Sequence, residues 1–174
     1  MACLPAFEGK QVRVVLRPAL FAHRGTLLSG LDLGAPVHAG SFLRRREIVL
    51  DRSLCDEPSE LARILVHEIF HFVWLRMGNH VRRSFEAKLA AELQRNARGE
   101  LGWSADLRKQ TLSSGDVRGR NRRWREYVCE SFCDSAAWLH TGAKGHDEFT
   151  LAPRFRRARR EWMRHFEAAG RIPI

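Results

Sequence analysis

The chain has 174 residues, 44% of them hydrophobic, an ordinary composition for one globular domain (1–174) with a real core. Its formal net charge of +10 comes almost wholly from arginine, since lysine occurs only at Lys10, Lys88, Lys109 and Lys144. No run approaches the length of a membrane span. Met1–Lys10 lacks the basic start and apolar core of a signal peptide. Cys3, Cys55, Cys129 and Cys133 form neither a C-x-x-C pair nor a secreted-type framework. The expected compartment is therefore the reducing cytoplasm. A basic excess points to acidic partners, namely nucleic acid, an anionic membrane surface or acidic substrates, unless it only decorates the surface. The spread of the arginines over several segments favours decoration.

Taken in order, Gln11–Leu16 alternates and is rich in valine, so it reads as a strand that Pro18 ends. Leu20–Leu33, punctuated by Gly25, Gly30 and Gly34, leaves a short helix or a turn open. Gly40–Asp51 reads as a hairpin with its turn at Arg44-Arg45-Arg46 and Glu47–Leu50 as the returning strand. This strand is either a plain edge strand kept soluble by its arginines or one whose open edge can take an extended peptide, and the two readings are compatible. The three arginines would favour acidic peptides there.

Asp56–Glu60 then starts a helix, with acids for its positive end and Pro58 suited to the first turn; it should run to Met77 and stop at Gly78-Asn79. Arg82–Arg98 is amphipathic, with a stripe of Phe85, Leu89 and Leu93. Gly99–Asn121 reads as a surface loop with some helix near Ala105–Leu112. Arg122–His140 is a second long helix, broken at Thr141–Gly145. Pro153–Ala169 is a last amphipathic helix, with Phe155, Trp162, Met163 and Phe166 inward and arginines outward.

The first long helix carries His67-Glu68-Ile69-Phe70-His71 inside an apolar run. Histidines four apart share one helix face, so two imidazoles can reach one metal ion, by default zinc. Glu68, beside the first histidine, is placed to take a proton from a water on that metal, whose pKa zinc lowers to about 7. As mere core residues, two histidines and a glutamate would be costly to bury without a partner; a metal is such a partner.

A catalytic zinc needs a third protein ligand. The Arg122–His140 helix offers Glu126, Glu130 and Asp134, each one turn apart on one face. Read alone, this acidic stripe is either a ligand face or a solvated face paired with arginines. Cys129 and Cys133, one turn apart, read as small core residues rather than ligands.

H-E-x-x-H followed by E-x-x-x-D or E-x-x-x-E on a second helix resembles the gluzincin pattern of zinc metallopeptidases. Glu130-Ser131-Phe132-Cys133-Asp134, running on to Leu139-His140, is most similar to the glutamate helix of the anthrax lethal factor catalytic domain. The resemblance implies that His67, His71 and Glu130 bind zinc, that Glu68 is the general base, and that Asp134 holds a metal histidine by its other ring nitrogen. Glu126 with Glu130 could instead fill the two acidic roles. One departure stands out: the family's oxyanion-stabilising tyrosine or histidine has no counterpart. The chain's single tyrosine, Tyr127, lies within the ligand helix, Arg123 stands where that tyrosine would be, and of His140, His146 or an arginine none is assignable to the role.

The expected architecture is α+β and zincin-like: a small N-terminal sheet on the zinc helix, the glutamate helix and a C-terminal helix. The expected activity is zinc-dependent hydrolysis of peptide or protein substrates. Two rival readings remain. One is a DNA-associated protease of the Spartan or SprT-like kind, which uses a third histidine and would call on His80. The other is a zinc-binding module without activity.

Overall fold

The computed structural model describes residues 4–24, 26–30, 34–142 and 145–174. Its class is α+β. The strands are β1 (Phe7–Glu8), β2 (Arg13–Arg17), β3 (Leu20–His23), β4 (Thr26–Ser29), β5 (Ala35–Pro36), β6 (Ala39–Phe42), β7 (Glu47–Asp51) and β8 (Ile172–Pro173). They form three small sheets, where one N-terminal sheet was expected. The central one, ordered β2-β7-β6, pairs β2 parallel to β7 and β6 antiparallel to β7. The predicted hairpin is present, with its turn at residues 43–46. Arg46 closes that turn at a φ of 53° and is not a free cleft cation. Its guanidinium donates to the Lys10, Gln11 and Ile174 carbonyls and lies 5.8 Å over the Phe72 ring. The stretch left open between helix and turn is the β3–β4 hairpin, and residues 31–33 of it lie outside the described residues. The parallel β1–β8 pair, which joins the two ends of the chain, is too short for any sequence period to reveal.

After a short 3₁₀ turn (Arg52–Asp56) come α1 (Pro58–Arg76), α2 (Asn79–Gln94), α3 (Trp103–Gln110), α4 (Ser114–Gly119), α5 (Arg122–Thr141) and α6 (Pro153–Ala168). Proline at the start and extended backbone at Met77 bound α1 as its sequence predicts. This helix is apolar nearly all round because it is covered on two sides. Ile64 and Phe72 pack under the sheet with Ile48, Leu50 and Leu54. Val66, Phe70, Val73 and Met77 pack with Tyr127, Val128 and Phe132 of α5. Each fully buried side chain of this size contributes about 1.5–3 kcal/mol. Helix α2 begins three residues earlier than predicted and buries Phe85 and Leu89. No helix among the described residues is long and apolar enough to cross a membrane.

Residues 99–121 are not a surface loop. Glu100, Leu101, Gly102 and Ala105 are buried, and α3 and α4 both lie against α5. The reason lies on α6, where Arg159 is fully buried although the α6 arginines were all expected outside. Its guanidinium holds Glu92 of α2 at 2.7 Å and Glu100 at 2.6 Å. Glu100 also accepts from Tyr127 (2.6 Å) and pairs with Lys109 of α3 (3.0 Å). Burial raises the pKa of Glu100, but the Arg159 charge and hydrogen bonds, with Lys109 and Tyr127, outweigh it and hold it at about 2 against an ordinary 4.5.

Because this pKa is depressed by folding, its stabilisation is complete above the unfolded value and lost as pH falls from 4.5 toward 2. Arg159→Met should cost about 3–5 kcal/mol near neutral pH, since it strands two buried carboxylates. The deficit should shrink as acid neutralises them. Denaturant unfolding of both proteins across that pH range checks this; a constant gap would contradict the assignment.

Candidate metal centre

Helix α1 sets His67 and His71 one turn apart, with ring centroids separated by 4.9 Å. Their Nε2 atoms face each other at 3.2 Å. Helix α5 supplies the groups that orient them. His67 Nδ1–H donates to Asp134 Oδ1 at 2.7 Å, which leaves Nε2 to point toward His71. The other Asp134 oxygen accepts the Ala105 N–H at 3.1 Å, in the first turn of α3. Gly102 makes room for this carboxylate: a Cβ there would stand 2.2–2.4 Å from the Asp134 carboxyl atoms. Its backbone is extended, so close approach and not conformational freedom is what selects glycine.

Glu130 lies one turn before Asp134. Its Oε2 is 3.3 Å from His67 Nε2, and its Oε1 is 3.2 Å from the Arg108 guanidinium on α3. Burial works against its charge, but hydrogen bonding to His67 and the charges of His71, His67 and Arg108 hold its pKa at about 2. Glu126 sits elsewhere: its carboxylate is 46% exposed and pairs with Arg122 at 2.6 Å. On the far side of His71, Nδ1 meets the sulfurs of Cys129 and Cys133, each at 3.5 Å. His67, His71 and Cys133 thus place ligand atoms within 4.8 Å of one another, so Cys133 is more than core filling. Burial pushes the Cys133 thiol well above its ordinary value, which makes it a poor source of thiolate as it stands.

The electrostatics favour a cation between the rings. Burial opposes a charged His67, yet the Asp134 charge and the hydrogen bonds of Asp134 and Glu130 raise its pKa well above 6.5. His71 is raised too, against burial, chiefly by its bond to Cys129. Two imidazole nitrogens facing each other at 3.2 Å repel unless a proton or a metal ion lies between them. Nitrogen donors with a carboxylate or a thiolate suit zinc, so these residues fit the ion.

Glu68 is buried beside this pair, and the Ser41 hydroxyl of β6 holds its carboxylate at 2.5 Å. Strand β6 is the outer strand of its sheet. Two cavities meet at His67, Glu68 and Ser104. One, of about 280 Å³, adds Ser41, His71, Arg108 and Glu130. The other, of about 260 Å³, runs past Val37, Arg63 and Trp103, a residue that is 63% exposed.

The remaining candidates lie apart. Tyr127 is fully buried on Glu100. His140 is buried against Phe70 and Glu167, and His146 pairs with Glu60. Arg123 and His80 are exposed, and neither lines these cavities. Ser41, Gly102, Arg108 and the Cys133 contact escaped sequence reasoning. Each acts across more than twenty residues, and none carries a local signal. No family model, curated protein or solved structure matches the chain.

Gly102→Ala should displace the Asp134 carboxylate and free the His67 ring. We expect a loss of about 1–3 kcal/mol in stability and weaker zinc binding by about 10–100-fold. A slowly exchanging His67 Nδ1 proton in the NMR spectrum should disappear. Its persistence, with unchanged zinc affinity, would show that the Asp134 contact tolerates the methyl group.

Proposed function

We propose that this chain is a zinc-dependent metallopeptidase with a zincin-like arrangement. His67, His71 and Glu130 bind the metal, Asp134 orients His67, and Glu68 acts as general base. The observation that carries the reading is the convergence of His67 Nε2 on His71 Nε2 (3.2 Å) and Glu130 (3.3 Å), with the Glu68 carboxylate held beside them in an open cleft. Glu130 is preferred to Cys133 as third ligand for two reasons. It faces the Nε2 side of the pair, where Glu68 and the cavity are, and it is already ionised at neutral pH, whereas the thiol is not.

Zinc, when bound, supplies a Lewis acid that makes water acidic near neutral pH and polarises a carbonyl. The protein's own groups do the rest. A peptide laid along the free edge of β6 would place a scissile bond over Glu68. Glu68, fixed by Ser41, takes a proton from the attacking water and returns it to the leaving amine. Asp134 keeps the His67 proton on Nδ1 and its lone pair on Nε2 throughout. The arginines proposed to draw acidic side chains reduce to Arg44 and Arg45, since Arg46 is spent on backbone carbonyls.

Chelator competition tests the ligand set. Glu130→Ala should lose zinc outright, Asp134→Ala should bind it about 10–100-fold more weakly, and Glu126→Ala should match the parent. Cys133→Ser should retain the metal, and the cobalt-substituted protein should lack a thiolate charge-transfer band. A strong band, with loss of metal in Cys133→Ser, would make the thiol the third ligand.

The activity itself is tested on a proteome-derived peptide library. Glu68→Gln should keep full zinc content and stability while hydrolysis is lost. A zinc-loaded parent that cleaves no peptide or protein would favour the inactive binding module instead.

A further inference from the structure

The hydrolytic reading leaves a charge unaccounted for. When the water oxygen bonds to the carbonyl carbon, the carbonyl π electrons move onto oxygen as a negative charge, while the water proton goes to Glu68. Collapse of the intermediate re-forms the carbonyl and breaks the C–N bond, and Glu68 returns its proton to nitrogen. A donor placed where the oxyanion develops lowers this barrier, and removing one such donor typically costs about 10²–10³ in kcat.

We propose that Arg108 is that donor, a catalytic residue of this site; the inference rests on the peptidase reading above. Arg108 is the cationic side chain in the lining of the 280 Å³ cavity that also contains Glu68, His67, His71 and Glu130. One guanidinium nitrogen lies 3.2 Å from Glu130 Oε1, so a single carboxylate separates it from the His67 contact at Oε2. A second nitrogen donates to the Ser104 carbonyl at 2.9 Å. A guanidinium has five N–H donors, and these two contacts leave others to spend on an incoming oxygen. The side chain is 36% exposed, which puts it in reach of a substrate without displacing core.

Its base is rigid. Two neighbours on α3 anchor the helix, Ala105 to Asp134 and Lys109 to Glu100 and the Gly99 carbonyl. Donors that are fixed before reaction need no reorganisation during it. The other candidates are spent. The Tyr127 hydroxyl is buried on Glu100, His140 is buried against Phe70, and His146 pairs with Glu60. Arg63, in the neighbouring cavity, is tied to Glu60 and Glu148.

A purely structural Arg108 would only steady Glu130, so the test separates metal retention from chemistry. Zinc affinity, kcat, KM and calorimetric binding of a phosphinate isostere of the best-cleaved library peptide are measured for the parent, Arg108→Gln and Arg108→Lys. In zinc-loaded Arg108→Gln, kcat should fall about 10²–10³-fold with KM little changed. The phosphinate should bind more weakly by a similar factor while zinc affinity stays within about tenfold. Lysine, which keeps the charge without the planar fork, should recover part of both. Full kcat in zinc-saturated Arg108→Gln, or a loss that excess zinc restores, would overturn the assignment and leave the peptidase reading intact. A parent without turnover would overturn both.

Discussion

The fully buried guanidinium of Arg159 is the constraint on which the rest of the structure depends. It draws Glu92 from α2 and Glu100 from the segment before α3 onto α6, and its NH1 also donates to Ser131 of α5 at 2.8 Å. Arginine suits this position because its fixed fork of donors satisfies two carboxylates at once. Removing the guanidinium would leave both carboxylates without it in a poorly solvated interior, so the elements meeting there are tied to one another. Residues 99–105 are held against α5 for this reason, although nothing in their own composition would bury them.

What that segment brings to α5 is the support of the candidate metal centre. Glu100 is fixed by Arg159, and two residues on Gly102 leaves space for Asp134. Ala105 then donates to the same carboxylate, and Arg108 reaches Glu130. A chain of contacts therefore runs from the buried ion cluster through α3 to the imidazole of His67. Its buried members are paired: among the described residues no buried side-chain polar atom lacks a hydrogen-bond partner. Such support matters because a metal site or a general base works only when its groups are held near their productive geometry before the reaction.

The basic surplus looks different in this light. Several arginines serve the fold: Arg159 in the core, Arg46 closing the hairpin turn, Arg63 bridging Glu60 and Glu148, and Arg120 on Glu86. A net charge of +10 is thus not, by itself, an argument for a polyanionic partner. The third histidine that a DNA-associated protease of the Spartan kind would need is also not where His80 lies, exposed on the first turn of α2. In this site a carboxylate, Glu130, occupies the position beside the histidine pair.

Much of the site was legible in the sequence because helices convert spacing into geometry. Residues four apart share a face whatever else the chain does, so His67 with His71, and Glu130 with Asp134, were predictable as pairs on two apolar helices. The α+β class, the β6–β7 hairpin and the bounds of α1 and α5 followed from equally local rules of proline, glycine and apolar period. The sequence left open which acid faces the histidines; tertiary packing chose Glu130 and turned Glu126 to solvent and Arg122. Packing also decided that Glu100, Leu101, Gly102 and Ala105 would be buried, that Cys133 would touch His71, and that Ser41 would hold Glu68. The physical reason is common to all of these. They join residues far apart in the chain through buried charge and close approach, and neither leaves a periodic trace in the amino-acid order.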